Sequence, residues 1–86
     1  MPKPNPSDAL LVEQCRAGRA LLGWSQEELA KQSNTTQRTV ADFERGARQP
    51  YDRTLRDLRE AMEKAGVVFI GQDEPSASGG AGVRLK

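Results

Sequence analysis

Up to Gly66 the apolar positions recur at the three- and four-residue spacing of helices, and beyond it the spacing shortens towards a two-residue alternation. A first helix is predicted from a cap at Ser7 or Asp8 to about Leu22, with Leu11, Cys15 and Leu22 on its inner side and Gly23 as its stop. "SQEELAKQS" opens a second. Ser25 stands as N-cap and Glu28 follows three residues later, the spacing of a capping box in which each side chain accepts a backbone N–H at the other end. Leu29 and Ala30 face inward, and Ser33-Asn34 interrupts the helix, because Asn tolerates the left-handed conformation of a tight turn. Thr36 caps a third helix whose buried face is Val40 and Phe43 and which ends at Gly46. After "ARQPYD", Asp52 caps a fourth, with Leu55, Leu58, Met62 and Ala65 on one stripe. Its other face carries Arg53, Arg56, Asp57, Arg59, Glu60 and Lys64 and reads as solvated.

The tail has a different grammar. "VVFI" and "VRLK" predict short strands at 67–70 and 83–86, and the polar "GQDEPSASGGAG" between them reads as a flexible connector. Two strands alone are marginal in water, so they must lean on the helices or on a second copy of the chain. The expected fold class is all-α: a flexible arm over 1–7, a compact four-helix domain over 8–66, and a tail over 67–86 that forms a β-hairpin or exchanges strands between subunits.

The helices predicted at about 25–33 and 36–45, joined by a tight turn, follow the helix-turn-helix plan, in which the second helix enters the major groove of DNA. With Val40 and Phe43 packed on Leu29 and Ala30, the third helix is left with Thr36, Gln37, Arg38 and Thr39 projecting from its first turn. Gln can pair with adenine, Arg with guanine, and a Thr methyl can touch the thymine methyl. The helix starts at Gln26 and Gln37 also offer free N–H groups suited to phosphate. Arg45 and Arg48, just past the third helix, are placed either to clamp phosphate or to sit in a solvated loop. Cys15 reads as a small core residue rather than a redox centre, and Trp24 as a lid over the first two helices.

"WSQEELAKQSNTTQRTVADFERGARQP" closely resembles the helix-turn-helix of the phage-repressor and Cro family, the Xre-like regulators, across about residues 11 to 65. The places that family fills with a Gln opening the first motif helix, an Ala inside it, a turn residue, an aliphatic residue in the recognition helix, and "ERG" with a following Pro are held by Gln26, Ala30, Asn34, Val40 and "ERGARQP". Asn34 in place of Gly and Thr35 in place of an aliphatic residue are departures at the turn. Phosphate contacts are expected from Gln26, Thr36, Arg45 and Arg48, and the resemblance implies a lambda-repressor-like fold with base contacts from Gln37, Arg38, Thr39 and Asp42. It further implies an ion pair between Arg19 and Glu44, a homodimer, and a double-stranded DNA operator arranged as an inverted repeat. "AGVVFI" and "GVRL" are also similar to a tail found in small bacterial members, where the strands would help form a dimer.

Composition narrows the function classes. A net charge of +1 gives no overall basic field, so DNA recognition must rest on local placement of charge. A chain of 86 residues holds one small domain, for which oligomerisation is a common support. There is no His, a single Cys, no phosphate-cradling glycine loop and no metal-ligand spacing, so an enzyme, a metal and a cofactor are not expected. Without an apolar run of signal or membrane-spanning length, the expected setting is soluble and cytoplasmic, with no membrane partner. The expected function is a sequence-specific transcriptional regulator, a dimeric repressor reading the major groove with helix 36–45. The alternatives are a DNA-binding antitoxin with a toxin partner, and an interaction adaptor that does not meet DNA.

Overall fold

A computed structural model describes residues 10–71 and 80–86. Four helices, α1 (Val12–Leu22), α2 (Gln26–Ser33), α3 (Gln37–Glu44) and α4 (Asp52–Lys64), precede two strands, β1 (Val67–Ile70) and β2 (Gly82–Leu85). The cap expected at Ser7 or Asp8 lies outside the described residues, and α1 starts later than predicted. Leu11 is extended, with φ −85° and ψ 152°, and Leu10 before it is only 5% exposed in the core. Gln14 then turns back so that its Oε1 accepts the Leu11 N–H at 3.1 Å, satisfying a donor that the helix start leaves open. The predicted stop at Gly23 is a left-handed C-cap, whose N–H reaches the carbonyls of Ala20 and Arg19.

Eight residues are too few for a stable isolated helix, so α2 and α3 depend on packing and on their caps. Leu29, Ala30, Val40 and Phe43 provide the packing, all buried. Ser25 Oγ accepts the Glu28 N–H at 3.0 Å, but the Glu28 carboxylate accepts from Gln32 Nε2 at 2.7 Å, so this half of the expected capping box is replaced by a bond one turn along the helix. Asn34 carries the turn in the left-handed region at φ 57°. Thr36 caps α3, its Oγ1 accepting the Thr39 N–H at 3.2 Å.

α4 differs from the prediction at both ends. Tyr51, not Asp52, is the N-cap residue, and Asp52 becomes the first helical residue, where its charge faces the positive end of the helix dipole. Leu55, Leu58 and Met62 are buried, but Ala65 is exposed because it is the C-cap, where the backbone is already leaving the helix. The strands pair antiparallel within the chain, from Val67 opposite Leu85 to Ile70 opposite Gly82. The tail is therefore a hairpin, and β2 lies one residue earlier than predicted; the Lys86 N–H continues the pairing to the Gly66 carbonyl at 2.8 Å.

The sheet's inner face, Val67 and Phe69, completes a core otherwise made by the helices and Leu10. Gly18 explains how α1 comes so close. A Cβ at that position would stand 2.9 Å from Met62 Sδ and 3.6 Å from the Phe69 ring. Gln14 fastens the same contact, its Nε2 donating to the carbonyls of Ile70 at 3.0 Å and Gly82 at 3.2 Å. The Arg59 guanidinium stands 5.5 Å from the Phe69 ring centroid, within cation–π range. Among the described residues no helix is long and apolar enough to cross a membrane.

Candidate nucleic-acid interface

The back of α3 is pinned by apolar contact and by one carboxylate. Val40 and Phe43 are 0% and 2% exposed, and Glu44, at the end of the helix, is 3% exposed. A carboxylate so deeply placed needs donors for its lone pairs. Arg19 Nε donates to Oε2 at 2.8 Å and its Nη2 to Oε1 at 2.6 Å, a two-pronged pair. Cys15 Sγ adds a donor to Oε2 at 3.1 Å and Gln26 Nε2 one to Oε1 at 3.1 Å. Glu44 thus joins α1, the start of α2 and the end of α3.

The electrostatics follow from this packing. Burial pushes the Glu44 carboxyl up, but hydrogen bonds from Arg19, Gln26 and Cys15, with the Arg19 charge, hold it below its ordinary value. The hydrogen bond to Glu44 raises Arg19 further above its already high value. Burial, then the hydrogen bond to Glu44, push the Cys15 thiol far up, so it stays protonated as a donor in the core. Arg16 supports the same end of α3, its Nη2 donating to the Glu44 carbonyl at 2.8 Å.

With the back held, the front of the helix is presented outward. Thr36, Gln37 and Arg38 are exposed, and Gln37 has no hydrogen-bond partner among the described residues. Thr39 is half-buried, its hydroxyl 2.9 Å from that of Thr36. Asp42 lies one turn further along. Its carboxylate accepts from Arg45 Nη2 at 2.8 Å and faces Arg38 Nε at 3.7 Å. Its carbonyl accepts the N–H groups of Ala47 and Arg48, which sets the path of the loop after α3. A groove of about 330 Å³ separates this helix front, lined by Thr36, Arg38, Thr39 and Asp42, from Arg48, Gln49, Pro50, Tyr51 and Thr54.

The residues named from the sequence therefore fall into two groups. Gln37, Arg38, Thr39, Asp42, Thr36, Arg45 and Arg48 lie on or beside the front of α3. Gln26 points the other way in part: it is half-buried and its side-chain amide is committed to Glu44. Sequence reasoning missed the thiol donor of Cys15, the Arg16 support, the Gln14 fastening and the far wall of the groove at Gln49, Tyr51 and Thr54. Gln14 had a readable signal, a polar side chain three residues after a helix start; Tyr51, 82% exposed, had none.

The two short helices, the tight turn between them and the open, polar first turn of the second have the geometry of the helix-turn-helix motif. A family model described as "Helix-turn-helix" matches residues 16–66, and the chain belongs to that Xre-like family. It is similar to curated proteins described as uncharacterized HTH-type transcriptional regulators in Sinorhizobium medicae (strain WSM419) and Rhizobium meliloti (strain 1021). Each is 30% identical over 80 residues, which cover 93% of this chain and 57% of the relative. The chain thus spans little more than half the length of those relatives.

Proposed function

We propose that this chain is a sequence-specific double-stranded DNA-binding transcriptional regulator that acts as a dimeric repressor, with α3 in the major groove. The observation that carries the reading is the first turn of α3: Gln37 and Arg38 stand exposed on a helix whose back is locked through Glu44 and Arg19. With the helix backbone held in place, binding has to order only the exposed side chains themselves, which favours a discriminating polar contact. Gln37 reads adenine and Arg38 guanine, each through paired hydrogen bonds, and Thr39 lies against the neighbouring base. Thr36, Arg45 and Arg48 flank the reading turn and hold phosphates, and Gln26 offers the backbone N–H of the α2 start while its side chain keeps Glu44 company.

Repression is the regulatory mode that needs least: a protein covering promoter DNA blocks access without any further contact. Two copies related by a two-fold axis would present their α3 helices about 34 Å apart, matching successive major grooves on one face of an inverted repeat.

The reading is tested by comparing two variants on one selected site. Gln37→Ala is expected to lose discrimination at a single base position, by about 1–3 kcal/mol, with the salt dependence unchanged. Arg48→Ala is expected to weaken all sequences alike and lower the salt slope by about one. Unchanged binding in both would defeat the assignment.

A further inference from the structure

Among the described residues neither outer edge of the hairpin has backbone partners, but the outward-bonding residues of β1, Val67 and Phe69, are buried, whereas those of β2 are not. The residues along the β2 edge match a second copy of themselves. Lys86 N–H to Gly66 carbonyl identifies Gly66 and Lys86 as a hydrogen-bonded pair, and the register then makes Val68 with Arg84 and Ile70 with Gly82 the bonded pairs. The alternate residues of β2 and its approach, Ala81, Val83 and Leu85, therefore direct their N–H and carbonyl groups away from β1. Among the described residues none of these groups has a backbone partner; the Leu85 carbonyl receives only a 3.4 Å approach from the Arg84 guanidinium. The side chains on the same stretch are also incompletely covered. Leu85 is 46% exposed although it lies on the core-facing side beside Val67, and Leu21 of α1, on the stripe of Gln14 and Gly18 that faces the sheet, is 41% exposed.

We infer that the outer edge of β2 pairs antiparallel with β2 of a second copy about a two-fold axis at Val83, joining two hairpins into one four-stranded sheet. Self-pairing has three registers that use the outward groups, and the one centred on Gly82 joins only Ala81 with Val83 among the described residues, leaving Leu85 unpaired. Centred on Arg84, it would set two arginines directly opposite each other, where like charges are destabilising. Centred on Val83, it sets Val83 against Val83, Arg84 against Gly82 and Leu85 against Ala81. Each long side chain then meets a small residue, the two valines share the inner face, and no cation faces a cation. In that register Ala81, Val83 and Leu85 each exchange both backbone bonds with the other copy. An axis perpendicular to the sheet keeps both inner faces on one side, so Leu85 and the α1 helices with Leu21 come into a common layer. A two-stranded sheet is marginal, and doubling it supplies the missing strands. The exposed Arg84 and Lys86 discourage other strands from adding to the edge.

This deepens the dimer of the proposed function and rests on that reading for its use on DNA, but it is tested without DNA. The full chain carrying Val83→Cys or Arg84→Cys is treated with diamide, which takes up the two thiol hydrogens as the disulfide forms, and products are separated under non-reducing conditions. In a Val83-centred pair the two Cα atoms lie about 5.5 Å apart, within disulfide reach, whereas the Arg84 positions lie diagonally at roughly 7–8 Å. The expected result is a cross-linked dimer with Val83→Cys at several times the yield of Arg84→Cys, and none with wild type, whose Cys15 is buried. Sedimentation of the wild-type chain, expected to show a concentration-dependent dimer, covers the case in which a variant fails to fold. A wild type monomeric at every concentration, a dimer that neither variant links, or preferential linking through Arg84→Cys would each overturn the inference. DNA retardation by the same preparations is read separately: a monomer that still selects a site would sink this interface and leave the DNA-binding reading standing.

Discussion

Glu44→Gln tests whether one buried carboxylate organises α3. Four donors converge on its two oxygens: Arg19 Nε and Cys15 Sγ on one, Arg19 Nη2 and Gln26 Nε2 on the other. An amide keeps one oxygen and replaces the other by an NH2, so two donors lose their acceptor and meet another donor, and Arg19 loses its counter-charge. Breaking a buried pair costs about 3–5 kcal/mol. The Arg19 side chain is 19% exposed and that of Glu44 2%, so water relieves the arginine in part and the expected loss is near the lower end, about 3 kcal/mol. For a domain of this size that corresponds to a fall in Tm of roughly 12–24 °C. Urea unfolding followed by the fluorescence of the single tryptophan, Trp24, measures it. Because the folded Glu44 pKa is depressed, its stabilisation is present above the ordinary carboxylate range and is lost as pH falls through the folded value. Wild type should show that acid limb and Glu44→Gln should lack it. A loss under about 1 kcal/mol, with acid limbs that superimpose, would refute the reasoning.

Three further outcomes follow from local geometry. Gly18→Ala gains helix propensity of about 1 kcal/mol but drives a methyl to 2.9 Å from the sulfur of fully buried Met62, so a net destabilisation of about 1–2 kcal/mol is expected in the same unfolding assay. Asn34→Ala, at φ 57°, should cost about 1 kcal/mol while Asn34→Gly costs nothing; equal losses would remove the turn's conformational explanation. Asp42→Asn frees Arg38 and Arg45 from a carboxylate that lies on the proposed DNA-facing side. Titration with random-sequence DNA at two salt concentrations should show tighter non-specific binding and a smaller ratio of specific to non-specific affinity.

The fold was legible where spacing and caps agree. Ser25, Asn34, Thr36, Gly23 and the stripe of Leu55, Leu58 and Met62 each carry a local signal, and these place the helices and the turn between α2 and α3. Element ends were less legible because tertiary contacts set them. Leu10 abandons the helix to enter the core, and Tyr51 takes the cap position from Asp52 without any side-chain bond. The arginine and glutamate of the buried pair are 25 residues apart, so only the family resemblance brought them together; periodicity could not. The convergence of Cys15 and Gln26 on the same carboxylate was illegible, since a thiol at a core position carries no mark of its partner. Gly18 was the reverse case: a glycine inside a helix is a visible oddity, but its reason, the approach of Met62 and Phe69, exists only once the sheet has closed over α1.

The central claim is that the first turn of α3 reads bases, and selection of bound sequences from random duplex DNA tests it most directly. Wild type and Gln37→Ala are each carried through selection at two salt concentrations. The account predicts that wild type enriches an inverted repeat with half-sites about one helical turn apart, and that Gln37→Ala enriches the same repeat with one position in each half-site relaxed. Retention of DNA without enrichment, fading as salt rises, or an identical motif from both proteins, would contradict it.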